Sequence, residues 1–310
     1  MRSDLDHLPE RQQRELARAR DVLLASFEAA KNSGGGANSD WRRSGMVQKI
    51  ILFGSYARSD WVDEPENGYL SDFDLLIVVN HEKLTSIADY WWAAEDQILR
   101  DPEVGRTVNL IVHDIQDVNA ALKRGEHFWT DIARDGIALY EIPGHPLATP
   151  KPMTAEAAAE MAGRFFEAKL ADANTWLRSI DRSQVDWHEL AGRKNAAFQI
   201  HQAVEAAYAC FLLVHTFYFP RSHNIKFLRS LAEDVDRALV EAWPREHRTD
   251  RRRFELLKRA YVEARYSDQF DASVEDLEWL MARVLGLRDL VDRLCQSRVV
   301  ELKAKAESDL

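Results

Sequence analysis

Cysteine is scarce in this chain, with two in 310 residues. Cys210 and Cys295 stand alone inside helical patterns, which predicts buried free thiols in a reducing compartment rather than a disulfide framework. No apolar run approaches the ~18 residues of a membrane span. The first residues, Met-Arg-Ser-Asp-Leu-Asp, lack the apolar core of a signal peptide, so a cytoplasmic location is expected. Basic excess is missing too, the formal net charge being −10. Residues 1–150 carry 16 Lys and Arg against 25 Asp and Glu, and residues 151–310 carry 25 against 26. An acidic first half argues against a general nucleic-acid surface there. It suits a site that takes a divalent cation before it holds phosphates.

Proline is also sparse, and four of the nine fall between Ile142 and Pro152. This stretch reads as an interdomain linker. Before it, helical and strand patterns alternate. Residues 4–31 form an amphipathic helical pattern with Leu8, Leu16, Leu23 and Phe27 at helical spacing and a Glu10, Arg14, Arg18 ladder. A triple-glycine loop follows. Strands are predicted at 48–53, 73–79, 108–113 and 137–140, with a loop or short hairpin at 59–71 and helices at 81–100 and 117–134. The unbroken Leu-Leu-Ile-Val-Val run of the second strand predicts burial on both faces. After the linker every pattern is helical. Helices are expected from Thr154 to about Ile180, from Trp187 to Phe217, from Ser222 to Ala242, from Thr249 to Arg265, and from a Ser273 cap to about Val300.

The chemistry concentrates between Lys49 and Val79. Lys-Ile-Ile-Leu-Phe runs into Gly54-Ser55-Tyr56-Ala57-Arg58, and after the loop Ser71-Asp72-Phe73-Asp74 opens the next strand. Asp72 and Asp74 lie at i and i+2 and so point to one face, where their oxygens can hold Mg²⁺. Gly54 lets the backbone approach a phosphate, Ser55 opens a helical turn, and Arg58 can reach a phosphate oxygen.

The run Phe53-Gly-Ser-Tyr-Ala-Arg58 with Ser71-Asp-Phe-Asp-Leu75 resembles the polymerase-β-like nucleotidyltransferase superfamily, nearest to its minimal and kanamycin-nucleotidyltransferase-like members. The likeness spans roughly residues 45–140. It implies Mg²⁺ or Mn²⁺ on Asp72 and Asp74, and a nucleoside triphosphate held by Gly54, Ser55, Arg58 and Ser71. It also implies nucleotidyl transfer to a hydroxyl on a protein, a tRNA end or a small molecule such as an aminoglycoside. Two departures stand out. The 58–72 loop is longer than in minimal members, so Trp61 and Tyr69 are candidates to cover the site. The third carboxylate usual in the family is replaced by Asn109, which cannot act as a general base, a role worth roughly 10²–10⁴ in rate. His113 shares the face of Asn109 by alternation and is a substitute base; Asp114, Glu95 and Asp96 are weaker ones.

In the second half, Phe198-Gln-Ile-His-Gln-Ala-Val-Glu-Ala-Ala-Tyr208 resembles the signature helix of HEPN domains. Phe219-Pro-Arg-Ser-His-Asn-Ile-Lys-Phe-Leu228 and Ala264-Arg-Tyr-Ser267 resemble further parts of that pattern. The resemblance covers about residues 155–300 and implies a module that often pairs into dimers. His201, Arg221, His223, Lys226 and Arg265 are candidates for a second phosphate or nucleotide pocket; the alternative is a His201–Glu205 pair satisfied inside the bundle. The arginine-histidine spacing of HEPN ribonucleases occurs only at Arg182 and His188, ahead of the signature helix, which disfavours RNA cleavage. The basic run from Arg245 to Arg259 reads as a solvated helix face or a docking face for the acidic half. Phe198, Phe211, Leu212 and Trp279 read as core.

The expected architecture is therefore an α/β nucleotidyltransferase domain with a small mixed sheet over residues 1–145, a linker over 146–153, and an all-α HEPN-like helical bundle over 154–310. The alternative to an enzyme is a catalytically impaired nucleotide sensor of toxin–antitoxin type.

Overall fold

The computed structural model describes residues 1–33, 39–64, 69–220 and 222–309. Two compact units divide the chain, Met1–Pro152 and Met153–Leu310.

In the first unit, four strands form a mixed sheet: β1 (Val47–Phe53), β4 (Phe73–Val79), β5 (Val108–Asp114) and β6 (Ile137–Glu141), in the order β5-β4-β1-β6. β1 runs antiparallel to β4 and β6, while β4 and β5 are parallel. β1 and β4 are central and buried along their whole length; the Leu-Leu-Ile-Val-Val run of β4 suits such burial, whereas β1 also buries Gln48 and Lys49. Between them, β2 (Asp63–Glu64) and β3 (Tyr69–Leu70) make a minimal hairpin within the 59–71 segment. The exposed edge at β6 is blunted by Arg2, which forms a parallel bridge to Ile137.

The first helix, α1 (Glu10–Asn32), starts six residues later than the periodicity suggests. Pro9 occupies its N-cap, and the chain before it is extended along β6 instead. Leu16, Leu23 and Phe27 of α1 pack with Ile50, Leu52, Phe73, Leu75 and Ile77 on one sheet face. On that face also lies α4 (Trp92–Arg100), the regular end of the 81–100 pattern, whose start is a short 3₁₀ turn and a π turn. Two short elements complete this half, α2 (Asp40–Arg43) and α3 (Ser55–Arg58). The 117–134 helix is two, α5 (Ile115–Arg124) and α6 (His127–Asp135), broken at Gly125 with φ +75°. The proline-rich stretch is not a free tether. His145 bonds Gln48 at 3.1 Å, the Ala148 N–H donates to Asn119 at 2.6 Å, and the Lys151 N–H donates to the Leu122 carbonyl at 3.1 Å.

The second unit is helical: α7 (Ala155–Ser183), α8 (Leu190–Thr216), α9 (Ile225–Val235), α10 (Arg248–Tyr266) and α11 (Val274–Ser308). α8 is central, with Ile200, Val204, Tyr208, Phe211 and Val214 fully buried. By length and composition it passes as a membrane span, contrary to the run-length reading, but 67% of its apolar window is buried inside the bundle. Ser273 caps α11 through the Asp276 N–H at 3.1 Å, and the helix runs eight residues past the expected Val300. Cys210 and Cys295 are both free and buried. The thiol of Cys295 is pushed up, by the neighbouring Cys210 first and by burial second. Phe211 and Leu212 are core, whereas Phe198 and Trp279 are only partly buried, each against an arginine.

Candidate functional site

β1 ends at Phe53, whose register partner on β4 is Asp74. The next residue, Gly54, sits at φ +73°, ψ −152°, a conformation essentially confined to glycine. A Cβ placed there would lie 2.6 Å from Asp74 Oδ2. Glycine is thus required twice at this point, by the backbone angle and by the close carboxylate.

On the other side of β4 the parallel register sets Asn109 opposite Asp74. The Asn109 side-chain N–H donates to Asp74 Oδ1 at 2.9 Å. Asp72, Asp74 and Asn109 are 7%, 2% and 5% exposed, and Ser55 is also buried. Asp72 and Asp74 share by alternation the sheet face opposite α1. Phe53 is on this face and meets Phe128 of α6 edge-on at 5.6 Å. The fold therefore brings Gly54, Asp74 and Asn109 together.

The donor set fits a hard divalent cation. Two carboxylates at the start of a strand supply oxygen ligands of the kind Mg²⁺ takes, with substrate oxygens and water completing its shell. Among the described residues no three His, Cys, Asp or Glu side chains form a metal cluster of their own. A dedicated all-protein cage is therefore not what these residues build.

The helix expected after Ser55 is a single turn. The Ala57 and Arg58 N–H groups already donate to the Gly54 carbonyl at 3.1 and 3.2 Å. So short a helix contributes little macrodipole. The Arg58 guanidinium lies 3.3 Å from Asp60. Ser71 closes the hairpin base instead of facing the turn, its hydroxyl accepting from the Val62 N–H at 2.9 Å. Trp61 stacks on Tyr56 at 5.5 Å; Pro65, Asn67 and Gly68 lie outside the described residues, and so does the side chain of Tyr69.

The substitute bases are placed elsewhere. His113 is four residues along β5 from Asn109, about 13 Å at the strand rise, and it packs edge-on against Trp129 at 4.9 Å. Asp114 caps α5 through the Gln116 and Asp117 N–H groups at 2.9 and 3.1 Å. Asp96 bonds Arg100. Glu95, whose carboxyl is pushed up by burial, rides on α4, whose Ala94 and Ile98 pack on the opposite sheet face.

Sequence reasoning missed a buried network behind the turn. Arg106, just ahead of β5, donates from Nε to Glu15 of α1 at 2.7 Å and from Nη1 to the Tyr56 hydroxyl. Both charged side chains are under 5% exposed. Arg11 holds the second Glu15 oxygen at 2.8 Å, and Asp63 accepts from Gln12 at 2.8 Å. Burial pushes the Tyr56 hydroxyl up to about 12, so it stays protonated. The only sequence signal was a lone glutamate on the apolar stripe of α1.

In the second unit the structure brings His201, His223 and Arg265 into one cluster around Tyr261. His223 stacks on the Tyr261 ring at 4.2 Å, Arg265 lies over it at 4.5 Å, and His201 is 5.3 Å away. His201 does not pair with Glu205. Helical spacing puts the two one turn apart, but His223 takes the carboxylate, Nδ1 to Oε2 at 2.9 Å. His201 is fully buried, and among the described residues its Nε2 has no hydrogen-bond partner. Lys226 follows in the first turn of α9. Arg221 lies outside the described residues, as does the side chain of Arg182. The basic run from Arg245 to Arg259 is engaged within its own unit, Arg252 and Arg253 with Asp276, Arg253 with Glu275, and Arg245 with Glu233.

Residues 188–294 match the HEPN domain family. The match spans the His201 helix, the His223 loop and Arg265, so the second unit contains a HEPN domain. No curated protein matches the chain.

Proposed function

We propose that the first unit binds a Mg²⁺-nucleoside triphosphate on the Gly54–Ser55 turn beside Asp72 and Asp74, and transfers its nucleotidyl group to a hydroxyl acceptor. The observation that carries this reading is the missing Cβ at Gly54, 2.6 Å from Asp74 Oδ2. A turn that only glycine can make sits directly against a buried carboxylate. It suits a phosphate that shares a cation with that carboxylate.

In such a transfer the acceptor oxygen bonds to the α-phosphorus as the bond to pyrophosphate breaks. A bound divalent cation would neutralise charge on the triphosphate and align it. This chain's own residues have three tasks. Asp72 and Asp74 hold the cation, the Gly54–Arg58 turn and its guanidinium receive phosphate oxygens, and Asn109 fixes the rotamer of Asp74. The acceptor's proton needs a base that Asn109 cannot be. The HEPN domain is the natural place for an acceptor or a second nucleotide, on the His201–His223–Arg265 cluster.

A second reading, binding without turnover, is favoured by the Asn109–Asp74 hydrogen bond itself. An amide that donates to one carboxylate oxygen leaves fewer lone pairs for metal, so this site holds one cation more readily than two. The chain is then a nucleotide sensor reporting through its helical unit.

The test is incubation with Mg²⁺, α-labelled nucleoside triphosphates and cell extract, comparing wild type with Asp72→Asn/Asp74→Asn. Label transfer that the double variant loses supports the enzyme. Mg²⁺-dependent binding without transfer supports the sensor. No Mg²⁺-dependent binding rejects both.

A further inference from the structure

The single turn α3 ends in carbonyls that have no helix to continue into. A helix leaves its last four carbonyls without intrahelical partners, and one isolated turn does not sustain itself. In this chain those carbonyls are answered from the extreme N-terminus. The Ala57 carbonyl accepts from Arg2 Nη2 at 2.7 Å, and the Tyr56 carbonyl accepts from His7 Nε2–H at 2.8 Å. The Ser55 carbonyl accepts from the Asp60 N–H at 3.1 Å.

The arm that supplies these donors is itself anchored. Arg2 accepts through its own carbonyl from the Ala138 N–H of β6 at 2.9 Å, and Leu8 is buried in the core. His7 also meets Trp61 edge-on at 6.0 Å, and Trp61 stacks on the ring of Tyr56. The Tyr56 hydroxyl is fixed from behind by Arg106.

We infer that residues 1–8 are part of the nucleotide site, with Arg2 and His7 acting as positioning residues that hold the Gly54–Arg58 turn in its phosphate-receiving conformation. This rests on the nucleotide reading above. Neither side chain needs to touch the ligand. Their work is to spare binding the ordering of the turn.

The test uses the full chain with Arg2→Ala, His7→Phe and His7→Gln. His7→Phe keeps a ring against Trp61 and removes the donor; His7→Gln keeps a donor. Affinity is measured for ATP, GTP, CTP and UTP with Mg²⁺, alongside amide exchange at Tyr56, Ala57 and Arg58 without nucleotide. Arg2→Ala and His7→Phe should each weaken the best nucleotide about three- to tenfold and speed exchange in the turn. His7→Gln should recover most of both, and exchange in the helical unit should not change. Equal affinity and unchanged exchange in Arg2→Ala and His7→Phe overturn the inference while leaving the nucleotide reading in place. A wild-type chain that binds none of the four removes the nucleotide reading, and the inference falls with it.

Discussion

Asn109 donates its side-chain N–H to Asp74 Oδ1 at 2.9 Å, across the parallel register of β5 and β4. A neutral donor thus braces the buried Asp74 carboxylate. The substitution Asn109→Asp therefore has a predictable sign. It sets two buried carboxylates against each other, and both cannot ionise at that distance. Without divalent cation the variant should lose about 1–3 kcal/mol, the cost of a buried polar group deprived of its partner. Mg²⁺ should restore that loss and raise label transfer. Thermal melting with and without Mg²⁺ reads this directly. A variant whose melting point ignores Mg²⁺ contradicts a cation beside Asp74.

Gly54→Ala tests the turn. The ψ of −152° at φ +73° costs a non-glycine residue about 1–3 kcal/mol. The new Cβ also displaces the Asp74 carboxylate, which cannot move without breaking the Asn109 bond. Lower melting and loss of Mg²⁺-nucleotide binding are expected together. A Gly54→Ala chain that binds nucleotide like wild type would falsify the role given to this turn.

How far such features can be read from sequence depends on their range. β4 was legible because a strand buried on both faces has an unbroken apolar run, here Leu-Leu-Ile-Val-Val, and β1 because Ile50–Phe53 is apolar up to the Gly54 turn. Gly54 and Asp74 could be placed side by side because they lie at the end of one strand and the start of the next, which pair. Pro9 could have been taken as the true start of α1, since proline suits a helix start, but the leucine periodicity runs through it. Gly125 split one predicted helix into two by adopting the left-handed angle, which a single glycine in a helical pattern does not announce. The Glu15–Arg106 pair joins residues 91 apart, so nothing in either neighbourhood points to the other. His201 and Glu205 show the opposite failure. Their i, i+4 spacing gives reach, and the fold awards Glu205 to His223 instead.

Glu15 is expected to matter for stability more than its place on a surface-type helix suggests. Glu15→Leu leaves the Arg106 guanidinium, 1% exposed, with Tyr56 and a distant Asp63 at 3.8 Å as its remaining polar side-chain partners among the described residues. Removing one partner of a buried pair costs about 3–5 kcal/mol. Urea unfolding of the full chain should show that loss in the transition of the first unit. A shift of only a few tenths of a kcal/mol would mean that Arg106 finds water or another carboxylate once Glu15 is gone.

The helical unit should lose stability on mild acidification, and His201 is a principal reason. Burial holds its pKa down to about 4 from 6.5, with the neighbouring His223 and Arg265 charges adding to the effect. On the same helix His215, stacked on Phe211 at 4.2 Å, is lowered to about 4, again by burial first. In the folded chain both imidazoles stay neutral down to that pH, whereas in the unfolded chain they protonate below 6.5. Each contribution is therefore intact above pH 6.5 and is lost as pH falls from 6.5 through about 4. The slope approaches about 1.4 kcal/mol per pH unit for each group. Asp276 is held below its ordinary 3.8 by its hydrogen bonds to Arg252 and Arg253, against the desolvation that opposes them, so its contribution is lost at lower pH. Urea unfolding followed at intervals from pH 7.5 to 4.5 should show a declining midpoint. In His201→Phe the decline should be about half as steep, because one of the two buried imidazoles no longer titrates in the unfolded state. An unchanged slope in that variant would show that His201 is protonated in the fold, and the cluster around Tyr261 would then carry one more positive charge than its geometry implies.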